Sequence, residues 1–287
     1  MFGQIWRLLR GGVEAFIADD ALSRGAAISF YTATSIGPVL FIVVAIAGLA
    51  FGEDAARGAI ASQLSGLMGK ESADLVQTTV LSASGKSNGI LASIVGTATL
   101  LITASGVFGE MQSALNAIWK AKPQGTTVSR LVRARAASLG LVAALGFLLL
   151  VSLVISTILS GLAGYINVVL PFGALILQIL NFVISFALIS ILFAAIYKVL
   201  PDAKLSWTDV RVGAVVTALL FEVGKFLIGL YLSHSAVASS YGAAGALIIL
   251  LLWIYYSTQS FLLGAELTKI YASYRGTPAA IHAATSS

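Results

Sequence analysis

The sequence predicts an all-α polytopic membrane protein: six transmembrane helices preceded by an N-terminal interfacial amphipathic helix. Three observations carry that prediction. Of 287 residues, 58% are hydrophobic and 10% are charged, with a mean hydropathy of +0.96, whereas a soluble domain carries about 25% charged residues. So few charges leave too little polar surface to cover a globule of this length. No charge falls between Gly25 and Gly52, or between Ala136 and Tyr197, and a spanning helix needs about 20 apolar residues. The apolar runs are also continuous, unlike the alternating segments of about 10 residues that build membrane barrels.

The elements follow in chain order. Residues 1–20 place Phe2, Ile5, Trp6, Leu9, Val13, Phe16 and Ile17 at helical spacing, with Arg7, Arg10 and Glu14 off that face. This is the pattern of a helix lying in the membrane interface. Glu14, Asp19 and Asp20 interrupt any apolar core of a cleavable signal peptide. The membrane domain covers residues 21–275, with spans near 26–50, 90–117, 136–161, 173–198, 211–232 and 243–267. Residues 53–88 form the one sizeable extracytoplasmic segment. Its Ile60/Leu64/Leu67 and Leu75/Val76/Val80 spacings fit two short amphipathic helices, which read as a cap packed on the bundle. Residues 276–287 are expected to be a flexible cytoplasmic tail. Two sets of three spans would have opposite orientations and so permit an inverted repeat, but no internal sequence match accompanies it.

The basic residues orient these spans. Arg7, Arg10, Arg24, Lys120, Lys122, Arg130, Arg133, Arg135, Lys198, Lys204, Arg211, Lys269 and Arg275 fall on one side, and Arg57, Lys70 and Lys86 on the other. Thirteen against three puts the first group, and with it both termini, in the cytoplasm. The net charge of +5 is thereby explained by topology, and no nucleic-acid partner is expected.

Four ionisable residues lie inside or at the edges of spans: Glu110, Glu222, Lys225 and Glu266. A charge at the bilayer centre costs at least about 2.5–3.5 kcal/mol, and such residues are functional candidates. In FEVGKFLIGLY, Glu222 and Lys225 are three apart and can pair on one helix face. Ala214, Ala218, Gly229 and Ser233 continue that face, so it should look into the bundle or into water. Other spans also carry polar stripes: Thr99, Thr103, Gly106, Glu110, Ser113 and Ala117; Tyr255, Gln259 and Glu266; Gln178, Asn181 and Ser185; Ser152, Ser156 and Ser160; Ser29, Thr32 and Ser35. Together they suggest an enclosed, partly hydrated cavity, although small and hydroxylic stripes are also ordinary helix–helix contacts in membranes. The path candidates are Glu110, Glu222, Lys225, Glu266, Gln259, Asn181 and Tyr31. Gly37 and Pro38 are candidates for a helix break in span one, since proline frees a carbonyl.

Some chemistry is absent. Cysteine is missing entirely, and His234 and His282 have no metal-ligand spacing with carboxylates. No phosphate-binding GxxxxGK[ST] loop, GxSxG elbow or HExxH occurs. No enzyme, metal or cofactor is expected.

Three stretches carry a resemblance: AAISFYTATSIGPVLF, which contains Tyr31; LPDAKLSWTDVRVGAVVTALLFEVGKFLIGLY; and SSYGAAGALIILLLWIYYSTQSFLLGAEL, which ends in Gly264, Ala265 and Glu266. In this order, over about residues 10–275, they resemble the YihY/BrkB family of bacterial inner-membrane proteins. The resemblance implies six spans and an inner (plasma) membrane location, without an established substrate. Members have been labelled virulence or serum-resistance factors, and some have been tied to lipid or lipopolysaccharide-precursor movement. An older label, tRNA-processing ribonuclease, finds no metal cluster or soluble catalytic domain here. The expected function is a secondary transporter or permease of unknown substrate that uses intramembrane carboxylates. The alternative is lipid or lipopolysaccharide-precursor handling, or a membrane scaffold. Membrane lipids are the expected partners, and the oligomeric state is open.

Overall fold

Helices make up the regular structure of the computed structural model, which describes residues 2–68, 73–74, 76–78, 106–121, 140, 151, 155, 158, 161, 173–234 and 237–277. No strand occurs among these residues. In chain order they form α1 (Phe2–Ala18), α2 (Ala21–Phe51), α3 (Glu53–Met68), α4 (residues 106–118), α5 (Gly173–Val199), α6 (Trp207–His234) and α7 (Val237–Tyr274). The expected third span, 136–161, lies outside the described residues apart from five isolated helical positions, and so does the 90–105 part of the second. Thr99, Thr103, Ser152, Ser156 and Ser160 fall there, as do the basic positions Lys122, Arg130, Arg133 and Arg135.

By length and composition, Leu175–Val199 of α5 and Ala244–Tyr274 of α7 can cross a membrane. α7 has 38 residues, about 57 Å at ~1.5 Å per residue. That is longer than a hydrocarbon core of about 30 Å, so α7 must project beyond it.

The outer faces of α5 and α6 are apolar, while several polar and charged side chains lie inside beside the apolar core. Leu175, Ile176, Ile179, Phe182 and Val183 of α5, and Val215, Leu219, Val223, Phe226 and Leu230 of α6, are exposed. Asp209, Thr217 and Glu222 of α6, and Thr258, Ser260, Glu266 and Thr268 of α7, are buried. Contiguous outward apolar stripes of this size are unfavourable in water and favourable against lipid, where backbone groups are satisfied within the helix.

Glycine sets the tightest contact. α6 and α7 run antiparallel: Gly213 lies against Gly264 and Thr268, and Gly224 lies under the Tyr256 ring. A Cβ on Gly213 would meet the Gly264 carbonyl oxygen and Thr268 Oγ1, and one on Gly264 would meet Thr217 Oγ1. Backbone-to-backbone approach of this kind needs small residues. α5 packs antiparallel on α6. The Tyr197 hydroxyl donates to Phe261 O at 2.6 Å and lies 2.7 Å from Thr217 Oγ1. Phe221 and Trp253 rings meet at 4.9 Å, and Tyr197 and Phe261 at 5.1 Å.

On the other side of α7 sit α1 and α2. Gly12 receives Leu267, and Gly25 lies under the Gln259 side chain. With helices on both sides, residues 264–268 of α7 are buried all round. Asp19 and Asp20 form the α1–α2 turn, with Asp20 left-handed at φ 53°. α1 leaves Trp6, Leu9, Val13 and Ile17 exposed as one stripe, while Phe16 packs against the core. α3 packs on α2, with Ile60 buried and Leu64 against the core.

α2 continues as one helix through Gly37 and Pro38, so the pair does not divide it. Proline removes a single ladder bond, and the remaining turns on either side carry the helix through. The α5–α6 turn is fixed from two directions. Asn116 Nδ2 donates to Asp202 Oδ2 at 2.9 Å, and Asp202 N donates to Asn116 Oδ1 at 2.8 Å. Ser206 N donates to Asp209 Oδ2, and Asp209 N to Ser206 Oγ, a reciprocal cap of the α6 N-terminus.

Candidate functional site

Gly264, Ala265 and Glu266 lie on consecutive positions of α7. At about 100° per residue, set by 3.6 residues per turn, Gly264 and Glu266 point in nearly opposite directions. Gly264 faces α6, and Glu266 faces the α1–α2 turn. Glu266 is 0% exposed. Lys269, one turn on, places Nζ 3.6 Å from Glu266 Oε2 and 3.0 Å from Asp19 Oδ2. Lys120, at the end of α4, places Nζ 2.6 Å from Asp19 Oδ1. Arg24 Nε donates to Asp19 O. Two carboxylates and two ammoniums from three chain segments thus meet in one formally neutral cluster.

The four charges are not equally served. Asp19 accepts a bond on each oxygen. Among the described residues neither oxygen of Glu266 has a hydrogen-bond partner, and 3.6 Å is an ion pair without a hydrogen bond. A buried ionised carboxylate without hydrogen bonds is costly, so Glu266 is held in a poorly solvated state.

Burial works to raise the Asp19 pKa, but the bonds from Lys120 and Lys269 outweigh it and hold the group below its ordinary value. A depressed folded pKa means stability that is present above the unfolded value and lost as pH falls through the folded one. Asp19→Asn is therefore expected to lower the melting temperature near neutrality and to flatten its fall between about pH 5 and pH 3. At neutral pH the cost should be about 2 kcal/mol, in the range for hydrogen bonds to charged groups. Thermal melts of both proteins across that pH range check this.

A second site lies farther along α6. Lys225 Nζ is 2.6 Å from Glu222 Oε2, so the expected i,i+3 pair forms. Glu222 is 9% exposed and Lys225 35%, and among the described residues Glu222 Oε1 has no hydrogen-bond partner. Glu222 is nine residues beyond Gly213, which is level with Gly264 and Thr268. That places it about 13 Å along the helix from the Asp19 cluster.

The other path candidates are dispersed. Gln259 donates from Nε2 to Leu22 O at 3.3 Å, and its Oε1 is buried without a hydrogen bond. It lies between the two charged sites on the α2-facing side of α7. Glu110 is half-buried on α4, ten residues before Lys120, about 15 Å from the cluster along the helix. Tyr31 is exposed on α2 and borders Gly106. Asn181 is half-buried on α5. The structure therefore joins Gln259 and Glu266 along one seam, between α2 and α7, and leaves Glu110 and Asn181 away from the cluster.

Asp19, Lys120, Tyr197 and Thr217 were not among the sequence candidates. Asp19 had a visible signal in the Asp19-Asp20 pair, an acidic break between two apolar helices. Tyr197 and Thr217 had none, because their contact depends on the glycine-mediated approach of α6 and α7.

The profile of the virulence factor BrkB family matches residues 13–285. A UPF0761 membrane protein of Pseudoalteromonas translucida is 29% identical over 259 residues, covering 87% of this chain and 81% of its own. UPF0761 membrane proteins of Yersinia pestis and Yersinia pseudotuberculosis are each 33% identical over 184 residues. Those two matches cover 63% of this chain and 60% of the relative. No solved structure matches. The chain is an integral membrane protein and belongs to the virulence factor BrkB family.

Proposed function

We propose that this protein is a proton-linked secondary permease of the bacterial inner membrane, with Glu266 as the proton-exchanging group and no enzymatic activity. The observation that carries the reading is the fully buried Glu266 carboxyl, which among the described residues has no hydrogen-bond partner on either oxygen and has Lys269 at ion-pair distance. Such a group gains from taking up a proton or from moving toward water, and either event would be felt by Lys269 and Asp19. Gln259 extends the same seam into the membrane, and Glu222 with Lys225 lies deeper.

The reading includes six spans with both termini cytoplasmic. It is supported by the gathering of Arg24, Lys120, Lys198 and Lys269 at one end of the bundle through their contacts with Asp19 and Leu205. A reporter fused after Gln124 is expected to read cytoplasmic, and one after Gly85 extracytoplasmic; the reverse at both sites would overturn the orientation.

A second reading, a structural scaffold, is favoured by the way Asp19 ties the α4 end and α7 to the α1–α2 turn. Proteoliposomes separate the two. Wild-type protein with an imposed pH gradient and a potassium shunt should collapse the gradient faster than protein-free vesicles, and folded Glu266→Gln should not. Wild-type flux equal to that of empty vesicles would overturn the permease reading.

A further inference from the structure

The α5–α6 turn carries a basic, aromatic surface that the proton path does not use. Trp207 is 57% exposed, and Lys204 and Arg211 are exposed beside it. Trp207 and Arg211 are one turn apart on the same face of α6. Val215 and Leu219 follow at four-residue spacing, each step turning about 40° around the helix, and both are exposed. The stripe thus changes from apolar at Val215 to cationic at Arg211 within one turn, and the Trp207 indole lies one turn beyond, between Arg211 and Lys204 in the chain. Indole rings favour the headgroup level of a bilayer.

The local acids do not neutralise it. Asp202 is engaged by Asn116, and Asp209 is 1% exposed and turned inward to cap Ser206. Among the described residues, neither Lys204 nor Arg211 takes part in an ion pair. Lys198 is committed elsewhere: its Nζ donates to Leu205 O at 2.6 Å and lies 5.5 Å from the Trp207 ring centroid. That contact holds the indole in place and leaves the two outer cations free to meet a ligand.

We infer that this surface binds one anionic phospholipid of the leaflet at this end of the bundle. The phosphate lies at Arg211 and Lys204 beside Trp207, and an acyl chain runs along Val215 and Leu219. The mixed chemistry selects a lipid over a soluble anion, because the cations end an exposed apolar stripe that a soluble phosphate would not touch. The site is independent of proton exchange at Glu266.

Native mass spectrometry of the full-length protein in detergent, with phosphatidylglycerol and phosphatidylcholine added at equal concentration, tests it. Wild type should retain phosphatidylglycerol in preference and melt at higher temperature with it. Lys204→Gln and Arg211→Gln should each reduce that retention about fivefold, the contribution of one basic residue at an anionic membrane surface. Arg211→Lys should preserve most of it. Arg275→Gln removes an exposed charge beside Tyr271 and should leave retention unchanged. Equal retention of the two lipids by wild type would overturn the proposal. So would an equal loss in Arg275→Gln, which would mean diffuse attraction to the basic end. A soluble glycerol phosphate that raises the melting temperature as much as the lipid would assign the site to a free anion. Both Lys204→Gln and Arg211→Gln change exposed positions, so neither disturbs buried packing.

Discussion

Gly264→Ala and Gly213→Ala are each expected to destabilise the folded protein by about 3 kcal/mol or more. That is the upper end of overpacking costs. The added methyl at position 264 would meet Thr217 Oγ1 and come 2.5 Å from the Tyr197 hydroxyl, which is itself hydrogen-bonded to Phe261 O. The one at position 213 would meet backbone, the Gly264 carbonyl oxygen. Backbone cannot rotate away as a flexible side chain can, so α6 and α7 would have to separate. Melting temperatures in detergent should fall for both, with Gly213→Ala the more severe. Gly109 is a useful control, because nothing lies within 4 Å of a Cβ built there. Gly109→Ala should be neutral or slightly stabilising, since alanine is the better helix former. Equal effects at the three positions would show that α6 and α7 do not cross as closely as described.

Lys269→Met should be similarly severe, for an electrostatic reason. It leaves the fully buried Glu266 without its nearest cation and takes from Asp19 one of its two ammonium partners. Removing one member of a buried ion pair costs about 3–5 kcal/mol, whereas removing both charges can be nearly neutral. Adding Glu266→Gln to Lys269→Met is therefore expected to restore most of the folded yield. The corresponding change at the deeper site, Lys225→Met, should follow the same pattern with a smaller amplitude, because Lys225 is 35% exposed and less of its charge is desolvated. A double-mutant cycle on each pair, read by thermal melts, checks both expectations.

The contrast between these two sites shows how far the sequence could be read. Glu222 and Lys225 are three apart on one helix, so 3.6-residue periodicity alone was enough to pair them. The Lys269–Glu266 contact was legible for the same reason. Asp19 and Lys120 come from the α1–α2 turn and the end of α4, 101 positions apart, and no local period encodes that distance. The α1 helix and its end at Asp19-Asp20 could be read from apolar spacing and acidic punctuation. Its packed side was harder: Gly12 rather than a large residue makes the close contact, because Leu267 needs the space. The Ser206-Trp207-Thr208-Asp209 cap is a start signal for α6 that precedes the apolar run near residue 211 and so lies outside it. At Gly37-Pro38 the proline rule allowed a break or a plain kink, and α2 runs through the pair as one helix.

The account turns on whether Glu266 moves protons or only completes a charge cluster. The most direct measurement is proton flux through the folded Glu266→Gln/Lys269→Met double variant in proteoliposomes, beside wild type. This variant keeps the packing of α7 while removing the charge from both members of the pair. The permease account predicts a melting temperature close to wild type and flux no faster than protein-free vesicles. Wild-type flux from the double variant would contradict it, and would leave the Asp19 cluster as a structural tie between α1, α4 and α7.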